Sequence, residues 1–346
     1  MTYPAYPPPT HLAGAAAPPE GCEVDVIILS LDRVEDTIAA IASARAQQGV
    51  RKHVWIADQG SAAEGLARLT AAVQGAPDAT LVQLDRNWGV AGGRNRATAL
   101  GRAPVVFALD NDAEFAAPDT LARAAQALQA EPDLAAIGCR ILVHATGEED
   151  LSSWGYPASL LPRAAESFEA CAFVGAGHAL SREWFARCGG YDDALFFCWE
   201  EFDFALSAIN RGARIRYRGD LAVRHKVSPE RRFAWSGTRW FHYVRNRLYI
   251  AMKHGTPPLA LLPRYAGYQV KGARSGVLAK GLSAGPAALA LYRAWRAAGH
   301  APERLNAAAR EYLARHDAAH RGGLARRLRA EVLSALPGTA RRVAAE

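Results

Sequence analysis

An apolar strand pattern that ends in two carboxylates is the clearest sign of chemistry in this sequence. Val105–Leu109 is uniformly apolar, and Asp110, Asn111 and Asp112 follow it directly. Carboxylate oxygens suit Mg²⁺ or Mn²⁺, and such a cation can bridge to a diphosphate and offset its charge. We therefore expect a divalent metal site here, with an ordinary acidic turn as the alternative.

A second group of carboxylates, Glu200, Glu201 and Asp203, begins a predicted helix that Gly212 closes. Acidic residues are common in the first turn of any helix, and this is the alternative interpretation. Aromatic residues surround the group, however, and apolar surroundings raise the pKa of a carboxyl group toward the range of a general base. His225 ends a later predicted strand and is a candidate metal ligand.

Three glycines, at positions 89, 92 and 93, precede or begin a predicted helix. Glycines allow a ligand to approach the backbone N–H groups of a helix start closely. The spacing is not that of a dinucleotide-binding fingerprint, and the segment follows the third predicted strand instead of the first. A helix start that merely tolerates glycine is the alternative.

Alternating strand and helix patterns position these residues. Apolar runs predict strands at 24–29, 53–58, 80–84 and 105–109, with helical spacing between them, and Ser61 is a plausible helix N-cap. This order predicts a parallel α/β sheet, whose ligands bind at the carboxyl ends of the strands. Further on we expect a short strand that ends at 174–177, two short strands around Gly219 and Asp220, and an amphipathic helix over 240–254.

The charge of the chain is divided unevenly. Residues 1–204 carry 14 Lys+Arg and 27 Asp+Glu, whereas residues 205–346 carry 27 and 7, so the overall charge of +7 hides an acidic and a basic half. Residues 256–346 alone hold 15 Lys+Arg and 5 Asp+Glu. This segment is predicted to be helical, either as an interfacial helix beside anionic lipid or as a solvated cap on the domain. It has no nucleic-acid stacking motif, so we expect no nucleic-acid partner.

The composition, with 50% apolar and 22% charged residues, indicates a globular protein and excludes a disordered one. We find no apolar run of membrane-spanning length and no basic signal peptide, so we expect a cytoplasmic protein, at the inner face of the membrane if the basic segment binds lipid. The five cysteines include no C-x-x-C pair, which favours reduced thiols and no zinc site. We divide the chain into a flexible lead-in (1–22), a main domain (23–255) and a basic helical extension (256–346).

Seven segments, in this order, resemble the family 2 glycosyltransferases, and in particular their rhamnosyltransferase-like bacterial members. The opening VxVVIxxYNR element is similar to residues 24–33, and the VVDNGS element to residues 56–61. The remaining matches are NxGxAGGxNxG at 87–96, Asp-x-Asp at 110–112, the GAxxLxRR…GGFDE element at 175–192, WEDxDL at 199–203 with Gly212, and YxxRNRLYxxxKH at 243–254 after His225.

The resemblance implies the GT-A fold, a mostly parallel central sheet flanked by helices, and inverting transfer of a sugar from a UDP-, dTDP- or GDP-sugar to a glycan or lipid-linked acceptor. It implies that Asp112 and His225 hold Mg²⁺ or Mn²⁺ and that Glu201 or Glu200 is the base. The donor would be bound by Ser30, Asp32, Arg33, Asp58, Asn87, Gly89, Arg94 and Asp110. The acceptor side would comprise Gly175, Ala176, Gly177, Trp199 and Asp203.

The sequence departs from the family pattern at several of these positions. Leu31 and Asp32 replace Tyr-Asn, Gln59 replaces Asn, and Glu201 replaces Asp. The first three changes leave the donor base open, and the last leaves the choice between Glu200 and Glu201 open. A nucleotidyltransferase and a non-catalytic glycan-binding protein are the alternative functions.

Overall fold

A computed structural model describes residues 6–226 and 237–323 of the chain. The strands are β1 (Thr10–Gly14), β2 (Val24–Ser30), β3 (Lys52–Asp58), β4 (Ala79–Gln83), β5 (Val105–Leu109), β6 (Ala113–Phe115), β7 (Leu134–Val143), β8 (Ser167–Ala170), β9 (Gly177–Ser181) and β10 (Arg214–His225). The helices are α1 (Val34–Arg45), α2 (Ala63–Val73), α3 (Gly89–Leu100), α4 (Thr120–Ala130), α5 (Arg182–Arg187), α6 (Glu200–Asn210), α7 (Gly237–Lys253), α8 (Leu262–Arg274), α9 (Leu278–Ala297) and α10 (Ala307–His316).

One sheet organises the described residues, with the strand order β1-β4-β3-β2-β5-β9-β7-β10-β6, and β8 also pairs with β10. The strands β4, β3, β2 and β5 are parallel neighbours. Beyond β5 the sheet is mixed, because β9 is antiparallel to both β5 and β7. The prediction of an α/β fold with a parallel core is therefore confirmed.

Apolar layers cover both faces of this sheet. Along β2, Val26 and Ile28 belong to one buried cluster and Ile27 belongs to the other. Successive side chains of a strand point to opposite faces, so an uninterrupted apolar run requires cover on both sides. Helices supply that cover, and the carboxyl ends of β2, β3 and β5 remain at one edge, where Ser30, Asp58 and Asp110 lie.

Four local predictions need correction. Part of the predicted flexible lead-in is the ordered edge strand β1, because it pairs antiparallel with β4. Residues 174–176 form a loop, and the strand begins at Gly177 and not before it. The two strands expected around Gly219 are one strand, β10, with an irregularity there. Ser61 does not cap α2, since its hydroxyl donates to Asp58 instead.

The helices after residue 255 pack onto the main domain. Trp240 of α7 is fully buried, and a side chain at Gly272 of α8 or Gly281 of α9 would meet its indole nitrogen. Tyr268 and Ala284 belong to the same apolar cluster as the domain core. The predicted helical extension is thus present over its described part, whereas residues 324–346 lie outside the described residues and the division at 255 stays a prediction. Within the described ranges, we find no helix with the length and hydropathy to cross a bilayer.

Candidate active site

Asp110, Asp112 and His225 meet at the sheet edge, with one ligand atom of each within 4.8 Å of the others. The sheet produces this meeting: β6 pairs antiparallel with β10 and sets Ala113 opposite His225. The backbone N–H of Lys226 also donates to the carbonyl of Asp112 at 2.7 Å. These contacts bring a strand-end turn and a histidine more than 100 residues away into one cluster.

Asp150 is a buried carboxylate that the sequence analysis did not identify. Its Oδ2 lies 3.4 Å from Nδ1 of His225, while Nε2 of His225 lies 3.1 Å from Asp112. The hydroxyls of Ser152 and Ser153 donate to the Asp150 carboxylate. A carboxylate behind a histidine fixes its tautomer and directs the other ring nitrogen outward. The two carboxylates and this oriented imidazole form a donor set that fits Mn²⁺ or Mg²⁺.

Arg33 connects the first strand-end loop to this cluster. Its guanidinium forms ion pairs with Asp112 and with Asp36, and its backbone adopts a left-handed conformation with φ 51°. Burial alone would lower the pKa of Arg33, but the neighbouring carboxylates raise it. The loop that was predicted to bind the donor therefore reaches the carboxylate that was predicted to bind the metal.

Arg94 lies at the centre of the site and is 4% exposed. Its guanidinium donates to Oδ1 of Asp110 at 2.9 Å, to Oε1 of Glu201 at 2.7 Å and to the carbonyl of Gly175 at 2.8 Å. Burial opposes the charge of this side chain, but the charges of Asp110 and Glu201 outweigh burial and raise its pKa. Arg94 thus joins the metal-side carboxylate to the carboxylates of α6.

Glu200 and Glu201 differ in their surroundings although they are adjacent. Glu201 forms the ion pair with Arg94, and its side chain is 12% exposed. Glu200 is 3% exposed, and its Oε2 has no hydrogen-bond partner in the described structure. Burial, followed by the charge of Glu201, raises the pKa of Glu200 well above its ordinary value. The site therefore contains one carboxyl group in close contact with Arg94 and a second, more deeply buried one whose Oε1 lies 3.8 Å from the same guanidinium.

The turn that leads into α6 is strained. Phe196, Cys198 and Trp199 have φ angles of 62°, 71° and 75°, which non-glycine residues adopt at an energetic cost. The fully buried side chain of Asn246 in α7 supports this turn, because its amide donates to the carbonyls of Leu195, Phe197 and Cys198 at 2.8–2.9 Å. Asn246 thereby holds the backbone from which Glu200 and Glu201 project.

A cleft of about 390 Å³ joins these parts. The predicted site residues that line it are Arg94, Asp110, Gly175, Ala176, Trp199, Glu200, Glu201 and His225. Gly175 must be small, since a side chain there would meet Glu201. Trp154, Arg239 and Tyr243 also line the cleft and were not predicted. The sequence signals that point to the last two are the aromatic, basic composition of α7 and, for Tyr243, the motif at 243–254.

The structure does not bring two of the predicted acceptor residues to the cleft. Asp203 is buried away from it, where its carboxylate accepts from Lys253 at 2.7 Å and from His254 at 3.2 Å. Burial would raise the pKa of Asp203, but Lys253 and His254 lower it to about 2. Gly177 lies within β9, where Val223 leaves no room for a side chain. Asp203 thus anchors α7, and Gly177 packs the sheet.

The predicted donor residues fall into buried and exposed sets. Ser30 and Asp58 have no exposed surface, and the Asp58 carboxylate accepts from the N–H groups of Gly60 and Ser61 and from the Ser61 hydroxyl. In this conformation Asp58 shapes the turn, and its contact with a nucleobase stays a prediction. Asp32 accepts from the N–H of Ala62 at 3.3 Å and holds the same turn.

Asn87 precedes α3, and Gly89 is its first residue. The exposed Asn87 accepts from the N–H of Gly89 at 2.8 Å, and Gly89 has φ 70° and packs against the Phe196 carbonyl. These two residues therefore connect the start of α3 to the strained turn. The prediction that the glycines at 89, 92 and 93 precede or begin a helix is confirmed.

Comparisons with known proteins bear on this fold. The family model described as "Glycosyl transferase family 2" matches residues 25–189, which include Asp110 and Asp112 but end before Glu200. A mannosyltransferase from Pyrobaculum calidifontis, solved with GDP-Man and Mn²⁺, has a TM-score of 0.54 and 20% identity over 92% of this chain and 87% of its own. A search of curated proteins finds no significant match.

A second solved structure, GalNAc-T7 with UDP, GalNAc and Mn²⁺, has a TM-score of 0.52 and 16% identity over 68% of this chain. The match spans about half of that protein, 51% of its chain. At these identities the likeness establishes the fold, an α/β sheet of the GT-A glycosyltransferase class. The predicted fold class is confirmed on these grounds.

Proposed function

We propose that this chain is a family 2 glycosyltransferase that moves a sugar from a nucleotide-sugar to a glycan or lipid-linked acceptor with inversion. The observation that carries the proposal is the position of Arg94, which joins Asp110 and Glu201 across one cleft. One side of the cleft has side chains that can bind a cation, and the other has carboxyl groups that can act as a base. Single displacement requires these two functions, on opposite sides of the reacting carbon.

The donor diphosphate would lie beside Asp110, Asp112 and His225. A divalent cation bound there would offset the negative charge that develops on the nucleoside diphosphate as it leaves. Asp150 keeps His225 oriented for this role. Asp110 is 38% exposed at its side chain and is open to the donor, whereas Arg94 neutralises part of its charge from below.

Glu201 would act as the base. It would accept the proton of the acceptor hydroxyl while the hydroxyl oxygen bonds to the anomeric carbon and the bond from that carbon to the diphosphate oxygen breaks. Attack from the face opposite the leaving group inverts the anomeric configuration. Glu201 suits this task because it lines the cleft, is more exposed than Glu200 and is held in position by its contact with Arg94.

Glu200 would be neutral at the start of the reaction. Its burial and raised pKa favour the protonated carboxyl, which avoids two adjacent charges in the cleft. In this account Glu200 is a positioning residue of the site, and Glu201 accepts the proton of the acceptor hydroxyl.

The proposal covers several classes of donor sugar. The two solved relatives are described with GDP-Man and with UDP and GalNAc, both with Mn²⁺, and the rhamnosyltransferase resemblance adds dTDP-linked deoxyhexoses. We propose a role in cell-surface polysaccharide or glycoconjugate synthesis, carried out at the cytoplasmic face of the membrane. The order of the motifs and the basic C-terminal helices support this role.

The test is to incubate the protein with UDP-, GDP- and dTDP-sugars and Mn²⁺ or Mg²⁺, with water or glycans as the acceptor, and to identify the nucleotide product. We expect a nucleoside diphosphate. Release of pyrophosphate from a nucleoside triphosphate would indicate the alternative nucleotidyltransferase. Absence of both turnover and calorimetric binding with every donor would indicate a non-catalytic glycan-binding protein.

A further inference from the structure

Exposed apolar side chains concentrate on one helical hairpin. Among the described residues, eight large apolar side chains are exposed, and five of them lie between positions 259 and 282. The most exposed of these five are Leu259 at 79%, Leu262 at 57% and Leu282 at 50%. Scattered exposed leucines are ordinary on protein surfaces, but a local concentration marks an interaction surface.

The exposed residues of α8 form a stripe. Leu262, Ala266, Val270 and Ala273 are all exposed and recur at helical spacing, and Leu259 precedes them by one turn. Tyr268 and Gly272 on another face of the same helix are buried against the domain. The helix therefore has two apolar faces, of which the domain covers one.

The second helix of the hairpin lies beside this stripe. The hydroxyl of Tyr265 donates to the carbonyl of Leu282 at 2.7 Å, and the amide of Gln269 donates to the carbonyl of Gly281 at 3.2 Å. These bonds hold α9 along α8 and keep the exposed Leu282 next to it. We refer to residues 259–282 as the hairpin surface.

The segment that forms this surface carries only positive charges in its sequence. No Asp or Glu occurs between Glu230 and Glu303, whereas α8 and α9 carry Arg264, Lys271, Arg274, Lys280, Arg293 and Arg296. At 100° per residue, Arg274 borders the stripe on the side that faces away from α9, and Lys271 and Arg264 lie farther round the helix on that side. An apolar stripe with a basic border is the pattern of helices that lie in a membrane interface.

We propose that the hairpin surface docks on an anionic lipid bilayer, with the leucines and Val270 among the acyl chains and the basic side chains at the headgroups. The positive charge selects an anionic surface over a second copy of this chain, whose same surface would repel it. No described helix can cross a bilayer, so the contact is an interfacial one.

Docking there would also place the cleft near lipid. The indole of Trp240, against which the hairpin packs, stacks on Tyr243 with ring centroids 5.5 Å apart, and Tyr243 lines the cleft. One helix, α7, thus connects the hairpin surface to the candidate active site. This arrangement suits an acceptor that carries a lipid.

The experiment is flotation of the full-length protein with phosphatidylglycerol-containing or pure phosphatidylcholine vesicles. The double variant Leu262→Ser/Val270→Ser tests the apolar stripe, and Lys271→Glu/Arg274→Glu tests the charge. The matched controls are Leu151→Ser, which changes a leucine that is 64% exposed elsewhere, and Arg68→Glu on α2. Circular dichroism establishes that each variant is folded.

We expect the wild type and both controls to float with anionic vesicles, and both double variants to bind them about tenfold more weakly. Equal binding of the wild type to both vesicle types, no binding at all, or unchanged binding of the folded double variants would overturn the proposal. Light scattering that shows a dimer in the wild type and a monomer in Leu262→Ser/Val270→Ser, without vesicle binding, would assign the surface to a second copy instead.

Discussion

The two adjacent carboxyl groups of α6 allow a sharp test of the proposed chemistry. Glu201→Gln removes the charge that forms the ion pair with Arg94, whereas Glu200→Gln replaces a carboxyl group that burial already favours in its neutral form. Both substitutions preserve the size and shape of the side chain. The account therefore predicts opposite outcomes for two chemically identical changes at neighbouring positions.

The expected magnitudes follow from the contacts of each residue. In Glu201→Gln the amide oxygen can still accept from Arg94, so the structural cost is about 1 kcal/mol. The lost proton acceptor, however, reduces turnover by about 10²–10⁴-fold, or about 3–5 kcal/mol of transition-state stabilisation. Glu200→Gln changes no charge if Glu200 is protonated, and we expect turnover within about threefold of the wild type.

The assay compares the rate of nucleoside diphosphate release with the affinity for the donor, measured by calorimetry. Glu183→Gln on α5 serves as the control, because its side chain is 79% exposed and lies outside the cleft. Donor affinity is expected to survive in all three variants. If Glu200→Gln abolished turnover while Glu201→Gln retained it, the assignment of the base would be reversed, and if neither reduced turnover, the proposed base catalysis would be wrong.

Three further predictions concern residues that support the site. Asp150→Asn should weaken Mn²⁺ binding by about 10–100-fold in a calorimetric titration, because His225 loses its orienting carboxylate. Asn246→Leu removes the side-chain amide that donates to three carbonyls of the strained turn. It should lower kcat without changing the donor Kd, whereas a purely structural role would reduce only the unfolding temperature. Asp203, whose pKa is lowered to about 2, stabilises the folded state above about pH 4, and this contribution of about 2 kcal/mol is lost as the pH falls toward 2. Acid unfolding curves of Asp203→Asn should therefore lack that part of the pH dependence.

The strands of the parallel core and the residues at their ends could be predicted from the sequence. Runs such as Val105–Leu109 are apolar throughout because helices cover both faces of the sheet, and the polar residue after each run must lie at its edge. The strand pattern alone did not predict that Asp110 and His225 lie close together, because only the order of the motifs indicated it. β1 was missed because its pairing with β4 is not evident in a segment rich in Pro and Ala.

The supporting residues of the site could not be predicted, because they act across long stretches of chain. Asn246 holds carbonyls about 50 positions earlier, and nothing in its own neighbourhood indicates this. The left-handed conformations of Phe196, Cys198 and Trp199 could not be predicted, because none of these positions is a glycine. The resemblance assigned Asp203 to the acceptor side through the WEDxDL element, but its carboxylate contacts Lys253.

The central claim is that Asp112 and His225 bind a cation that in turn binds a nucleoside diphosphate beside Glu201. The most direct measurement is calorimetric titration of UDP, GDP and dTDP into the wild type, Glu201→Gln and Asp112→Asn, with Mn²⁺ and with chelator. The account predicts that one diphosphate binds the wild type and Glu201→Gln only with Mn²⁺, and that Asp112→Asn loses this binding. The account would be contradicted if the diphosphate affinity changed neither with the cation nor with the Asp112 substitution. It would also be contradicted if no diphosphate bound to the folded wild type.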